Sequence, residues 1–125
     1  MLNETPLDWV CSAKKDLLAF PEPVIDRMGY ALGVAQLGGK HPHAKPRKGD
    51  GSGVFEVVED FSGDTYRAVY TVRFAEVIYV LHAFQKKSTK GIATAATDVA
   101  MIKARLRLAR DDYEARISNG TKAND

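Results

Sequence analysis

The chain has 125 residues, 45% of them hydrophobic and 27% charged, and its formal net charge is +2. This length favours a single domain around one core, and the composition excludes a wholly disordered chain. No run of 18 apolar residues and no basic, apolar leader are present, so we predict no membrane association and a cytoplasmic location. The single Cys11 has no second cysteine to pair with and is predicted to be a small buried side chain.

The first part of the chain predicts two helices after a weak strand signal in "LDWVC". The first helix is expected from Ser12, a possible cap, to the residue before Pro21. The second follows Pro23 and ends at Gly38, because proline suits a first helical turn and glycine suits a helix end. Its apolar face is predicted from residues at helical spacing, which are Val24, Ile25, Met28, Leu32 and Ala35.

Residues 40–53 have the composition of a loop, and three strands are predicted after them. The strands are "VFEVVED", "TYRAVYTVRF" and "VIYVLHAFQ", which together indicate an antiparallel meander. In the second strand, Tyr66, Ala68 and Tyr70 alternate with Arg67, so the arginine is predicted to point away from the helices to an open face of the sheet. In the third strand, strict alternation puts five residues on one face, namely Ile78, Val80, His82, Phe84 and Lys86.

A final helix is predicted to begin at a cap formed by Thr94 or Thr97 and to end near Ile117. Its apolar stripe consists of Val99, Ile102, Leu106, Ala109 and Tyr113. The predicted fold is therefore α+β, with two N-terminal helices packed on a small antiparallel meander sheet of three to four strands, plus this C-terminal helix. We expect one domain over residues 1–117 and a disordered tail over residues 118–125.

Positive charge is concentrated in two segments. Residues 40–48 carry four lysines and arginines with no acid, and residues 86–110 carry seven against Asp98 alone. Clustered cations attract phosphates through a long-range field, which favours a polyanionic partner. The alternative is a solvated helix face and a polar loop with no partner.

Common catalytic and cofactor motifs are missing from the sequence. There is no P-loop, no GxGxxG after a strand and no GxSxG elbow. His41 and His43 have no acidic or cysteine partner at ligand spacing, so neither a metal site nor any other cofactor is predicted.

The remaining signal is a set of cations and aromatic rings at strand ends, which suits RNA. Cations hold the RNA backbone, and aromatic rings stack on unpaired bases. RNA also supplies its own 2′-hydroxyl nucleophile, so a protein can cleave it by aligning that group and stabilising charge on the phosphate. Arg67 is the best candidate for the charge stabiliser, with Lys86 or Lys87 as a second clamp or proton donor. His82 is either an acid or base or a structural core residue, and Arg67 is alternatively the partner of Glu56 in a salt bridge.

Three segments, "AKPRKGDGSGVFEV", "DTYRAVYTVRF" and "IYVLHAFQKKS", resemble in order and spacing the phage-related branch of the RelE/HigB-like toxins of bacterial type II toxin–antitoxin systems. The resemblance extends from about Leu7 to Tyr113. It implies the α+β fold given above and ribosome-dependent, metal-independent cleavage of messenger RNA. It also implies a cognate antitoxin, of the helix-turn-helix type. The wider superfamily includes ParE-like gyrase inhibitors that are not nucleases, so a non-catalytic toxin or a phage-derived binding protein is the alternative.

The resemblance also implies roles for individual residues. Arg67 matches the arginine that stabilises the scissile phosphate. With His82, which comes from the residue analysis above and not from the resemblance, the expected catalytic set is Arg67, Lys86 and His82. The expected RNA-binding set is Lys45, Arg47, Lys48, Phe84, Lys87 and Lys90. The sequence departs from some relatives in having Lys45 where they carry a carboxylate as general base, so the base is unassigned. The proline that usually opens the last helix is also absent.

Overall fold

The computed structural model describes residues 4–86 and 94–123. Within these ranges the chain forms a mixed sheet and three helices, so the predicted α+β class and helix order are confirmed. The bounds are β1 Leu7–Trp9, α1 Ala13–Leu18, α2 Glu22–Gln36, β2 Ala44–Pro46, β3 Val54–Phe61, β4 Asp64–Thr71, β5 Ile78–Lys86 and α3 Ala96–Ala123.

The sheet has five strands in the order β1-β5-β4-β3-β2, one more than the largest number predicted. Strands β3, β4 and β5 form the predicted antiparallel meander. The difference lies at the two edges, where β1 pairs parallel with β5 and β2 pairs antiparallel with β3. The weak strand signal in "LDWVC" is confirmed as β1, which has three residues. Strand β2 was not predicted, because its three residues lie in a segment with the composition of a loop.

Helices cover both faces of the sheet, so the fold has three layers where two were expected. On one face, α1 and α2 pack through residues such as Leu17, Met28 and Leu32 against Val57 and Tyr70. On the other face, α3 packs against β4 and β5, and the cluster there consists of Val54, Val69, Val77, Tyr79, Leu81, Phe84, Ile102 and Ala109. The face that carries Arg67 is therefore open only where α3 does not reach.

A bulge in β5 changes the predicted orientation of its C-terminal half. Val69 pairs with His82 but Tyr70 pairs with Val80, so Leu81 is an extra residue in the strand. Ile78 and Val80 lie under α1 and α2, whereas His82 and Phe84 lie on the α3 side. The prediction that all these residues share one face is wrong, because strict alternation does not survive an inserted residue.

Strand β4 ends at Thr71, three residues before the predicted end, and there the Thr71 hydroxyl donates to the Gly53 carbonyl at 2.8 Å. Gly53 has φ +81°, which residues with a side chain rarely adopt, and a Cβ added there would lie 3.2 Å from Arg73 Cα. This close approach fixes the start of β3 beside the end of β4.

Helix α3 has 28 residues and so is about 42 Å long. It was expected to end near Ile117 but continues to Ala123, and residues 114–119 are exposed. The division of the chain at residue 117 stays a prediction.

Across the described ranges, none of the helices combines the length and apolar content required to cross a membrane. Cys11, which was expected to be buried, is exposed.

Candidate functional site

The sheet register gathers most of the predicted site residues on the α3 side of the sheet. Arg67 lies directly opposite Phe84, and Thr65 lies opposite Lys86. Lys45 of β2 lies opposite Glu56 of β3. Residues opposite one another in a sheet have their side chains on the same face, as do residues two positions apart on one strand. These side chains therefore form one surface across four strands. We call this surface the Arg67 face; its members are Lys45, Arg47, Glu56, Arg67, His82, Phe84 and Lys86.

Arg67 is held by an ion pair. Its Nη1 donates to Glu56 Oε2 at 2.6 Å, and Arg47 Nη1 donates to the other oxygen, Oε1, at 3.2 Å. Arg47 also donates from Nε to Asp50 at 2.6 Å, and Lys103 of α3 lies 3.7 Å from the same carboxylate. The salt bridge between Arg67 and Glu56, considered as an alternative role from the sequence, is therefore present. Three cations share two carboxylates, which leaves one excess positive charge in the network.

This ion-pair network is largely shielded from water. The side chains of Arg67, Glu56 and Arg47 are 19%, 12% and 11% exposed. Burial weakens hydration and so strengthens each charge-assisted hydrogen bond, provided that every charge has a partner. Within the described residues, Arg67 Nε is a buried donor with no hydrogen-bond partner. An unmet donor of this kind costs about 1 to 3 kcal/mol, and the oxygen of a bound anion would satisfy it.

Phe84 and Lys86 follow one another on the Arg67 face but differ in exposure. Phe84 is only 8% exposed, and its ring stacks on His82 with centroids 4.9 Å apart and planes 20° apart. Lys86 is half-buried at the end of β5. The predicted stacking of an RNA base on Phe84 therefore requires its ring to become accessible, whereas Lys86 is accessible as it stands.

His82 lies in a buried network between β5, α3 and α1. It is 4% exposed, and its Nε2 lies 2.7 Å from Asp98 Oδ1. Arg105 Nη1 lies 3.2 Å from His82 Nδ1 and donates to the Leu81 carbonyl at 3.0 Å. A guanidinium only donates, so Nδ1 must accept, and the ring proton therefore lies on Nε2 facing Asp98. Both ring nitrogens are engaged, which favours the structural role over the acid or base role.

Arg105 extends this network to the start of α1. Its Nη2 donates to the Ser12 hydroxyl at 3.1 Å, and that hydroxyl donates to Asp16 at 2.8 Å. Ser12 was expected to cap α1, but its side chain makes no cap hydrogen bond. Sequence reasoning missed Arg105 because it counted the residue among surface cations. The signal was available, since Arg105 lies between Ile102 and Ala109 on the apolar stripe of α3.

The other predicted RNA-binding lysines lie away from the centre of this surface. Lys45 is exposed on the edge strand β2, and Lys48 is exposed in the turn that follows. Lys87 and Lys90 fall outside the described residues. Asp50, which sequence reasoning did not single out, is buried and anchors that turn through Arg47.

Comparison with known proteins gives one family and one solved structure. The model of the family described as "Phage derived protein Gp49-like" matches residues 15–107. One chain of the toxin–antitoxin complex RelBE2 from Mycobacterium tuberculosis is similar at 16% identity and a TM-score of 0.45, over 70% of this chain and 98% of that chain. No curated protein matches. Since the family model spans well over half of the sequence, this chain belongs to the Gp49-like family of phage-derived proteins.

Proposed function

We propose that this protein is the toxin of a bacterial type II toxin–antitoxin system, and that it cleaves messenger RNA on the translating ribosome. The observation that carries the proposal is Arg67 Nε, a buried donor without a partner in the described residues, on a guanidinium already fixed by Glu56. A donor already oriented by Glu56 needs no further alignment to stabilise developing phosphate charge, once the side chains that cover Nε move to admit the phosphate. The resemblance to RelE/HigB-like toxins supports the same assignment.

The proposed reaction uses the RNA's own 2′-hydroxyl. Its oxygen attacks the adjacent phosphorus and gives up its proton to solvent water, since no residue is assigned as general base. The P–O5′ bond breaks, and the products are a 2′,3′-cyclic phosphate and a 5′-hydroxyl end. Arg67 donates to a non-bridging phosphate oxygen as negative charge builds there. Lys86, which is accessible at the end of β5, protonates the departing O5′. No step requires a metal ion or another cofactor.

The remaining residues position these groups. Glu56 accepts from both Arg67 and Arg47, so it fixes the guanidinium orientation, and we assign it a positioning role. His82 supports the strand that carries Lys86 through its contacts with Asp98 and Arg105. Lys45 and Lys48 are exposed cations beside this surface and would hold the RNA backbone.

Mapping transcript 5′ ends after induction in a bacterial host tests this proposal. We expect new 5′-hydroxyl ends at a fixed position within codons. We expect the same cleavage on programmed ribosomes by purified protein that has first been treated with EDTA and then dialysed to remove the chelator. Growth arrest without codon-positioned ends would refute the nuclease assignment. A helix-turn-helix protein encoded beside this chain, which binds it and restores growth, is the expected antitoxin.

The second candidate is a toxin or phage-derived protein that binds without catalysis, as a gyrase inhibitor does. The observation that favours it is the ion pairing of Arg67, since two of the three cations in the network already contact Glu56. Inhibition of gyrase supercoiling by purified protein, with intact transcripts in the same cells, would favour this candidate.

A further inference from the structure

A second group of chemically active side chains lies at the β2 edge of the sheet. His41 and His43 precede β2, and the pairing of β2 with β3 brings them beside Glu59, sixteen residues further along the chain than His43. One possible ligand atom from each of these three residues lies within 4.8 Å of the others. The sequence alone gave these histidines no acidic partner, because the partner comes from a neighbouring strand.

We propose that His41, His43 and Glu59 bind a divalent transition-metal ion such as Zn²⁺. Two imidazole nitrogens and one carboxylate suit Zn²⁺ and its first-row neighbours, whereas Ca²⁺ and Mg²⁺ prefer oxygen ligands throughout. Three protein ligands leave one tetrahedral position for water. This site goes beyond the proposed RNA cleavage and does not depend on it. Glu59 and Glu56 are three residues apart on β3, so their side chains lie on opposite faces of the sheet, and Glu59 points away from Arg67.

The two side chains that form the centre of the site, His43 and Glu59, differ in exposure. His43 Nδ1 lies 2.6 Å from Glu59 Oε1, with the histidine side chain 55% exposed and the glutamate 4% exposed. Two tetrahedral ligands at Zn²⁺ distances of about 2.1 Å are separated by roughly 3.4 Å. The pair therefore needs to open by less than about 1 Å. The exposed histidine can make that movement while the buried carboxylate stays fixed.

One ring nitrogen of His41 is unprotonated and accepts a hydrogen bond from the backbone. The backbone N–H of His43 donates to His41 Nδ1 at 3.0 Å, so that nitrogen carries no proton. A metal ion at Nδ1 would take the place of the amide donor. The Tyr30 ring packs edge-on against His41, with centroids 5.4 Å apart, and so limits the movement of the imidazole.

The surroundings also favour a cation and leave it room. The three residues line an open cavity of about 720 Å³ between α2 and the sheet edge. Its charged lining consists of three carboxylates, those of Asp26, Glu59 and Asp60, against the two cations Arg27 and Lys45. The open side gives a solvent path for a metal-bound water.

Calorimetric titration of the untagged full chain with Zn²⁺ tests the proposal, with Co²⁺ absorption as a spectroscopic measure of coordination. We expect one ion per chain, d–d bands typical of nitrogen and oxygen ligands, and a rise in thermal midpoint with Zn²⁺. His41→Ala and Glu59→Gln should each weaken binding at least about tenfold, since even outer-shell changes at metal sites cost that much. Asp60→Asn is the matched control, because Asp60 lines the same cavity outside the ligand set, and it should bind as the wild type does.

Two results would overturn the proposal: no stoichiometric binding by the wild-type chain, or equal binding by His41→Ala and the wild type. His41 lies before the first residue of β2, so its truncation leaves the core intact and this comparison stays decisive even if Glu59→Gln unfolds. Loss of metal binding with undiminished RNA cleavage would support the metal site and leave the proposed function standing. Absence of cleavage with intact metal binding would refute only the proposed function.

Discussion

Replacing Arg67 by alanine separates the catalytic role of this side chain from its structural role. The substitution removes the 2.6 Å hydrogen bond to Glu56, but Glu56 keeps Arg47 as a partner at 3.2 Å, so no buried carboxylate loses every donor. A hydrogen bond to a charged group contributes about 1.5 to 3 kcal/mol, which is the expected loss of unfolding free energy. Loss of one fixed donor at the phosphate costs about 3 to 4 kcal/mol, or a cleavage rate roughly 100- to 1000-fold lower.

The assay is the single-turnover cleavage rate on programmed ribosomes, with urea unfolding measured on the same preparations. The matched control is Glu56→Gln, which weakens the same ion pair but keeps the guanidinium, and we expect it to lower the rate by no more than about tenfold. The reasoning would be refuted if Arg67→Ala cleaved within tenfold of the wild type. It would also be refuted if both variants lost equal activity and equal stability, because the ion pair alone would then explain the effect.

Three further predictions concern the fold. Burial, followed by the hydrogen bond to Asp112, raises the pKa of Tyr79 above its ordinary value of 10.0. The folded state therefore favours the neutral phenol, and the wild-type protein should lose stability as the pH rises above 10.0. In Tyr79→Phe this loss should be smaller, which thermal midpoints measured over a series of pH values would show. Arg105→Met removes a buried guanidinium with three acceptors and should lower the urea unfolding free energy by roughly 3 kcal/mol. Gly53→Ala should lower the thermal midpoint more than Gly63→Ala. Both glycines have positive φ, but only at Gly53 would an added Cβ meet backbone atoms. Equal shifts in the thermal midpoint would contradict a cost from this close contact.

The central elements could be predicted from the sequence because each has enough residues to show its period. The apolar spacing from Val24 to Ala35 defines α2, and the alternation from Thr65 to Thr71 defines β4. Strand β1 gave only a weak signal and β2 gave none, because three residues carry almost no periodic pattern. Their pairing depends on contacts with distant strands, which local residue preferences do not encode.

The charges of the candidate site were predictable as a concentration of cations, but their pairing was not. The sequence suggested that Glu56 could pair with Arg67, and the structure confirms this contact. It did not suggest that Arg47 would share the same carboxylate or that Arg105 would lie buried against His82. These contacts join residues on different elements, so they follow from tertiary packing and not from spacing along the chain.

The extra residue Leu81 determines which side chains of β5 face Arg67. Without the bulge, alternation would put Ala83 on the α3 side with Tyr79 and Leu81, and His82, Phe84 and Lys86 would turn toward α1 and α2. The α1 and α2 side of the sheet would then have to bury His82 without its present partners, Asp98 and Arg105, at a large desolvation cost. With the bulge, Tyr79 and Leu81 pack under α3, His82 follows on the same side in contact with Asp98 and Arg105 of α3, and Lys86 reaches that side at the end of the strand. One backbone irregularity thus lets a strand with a fully buried first half present Lys86 beside the arginine proposed to bind phosphate.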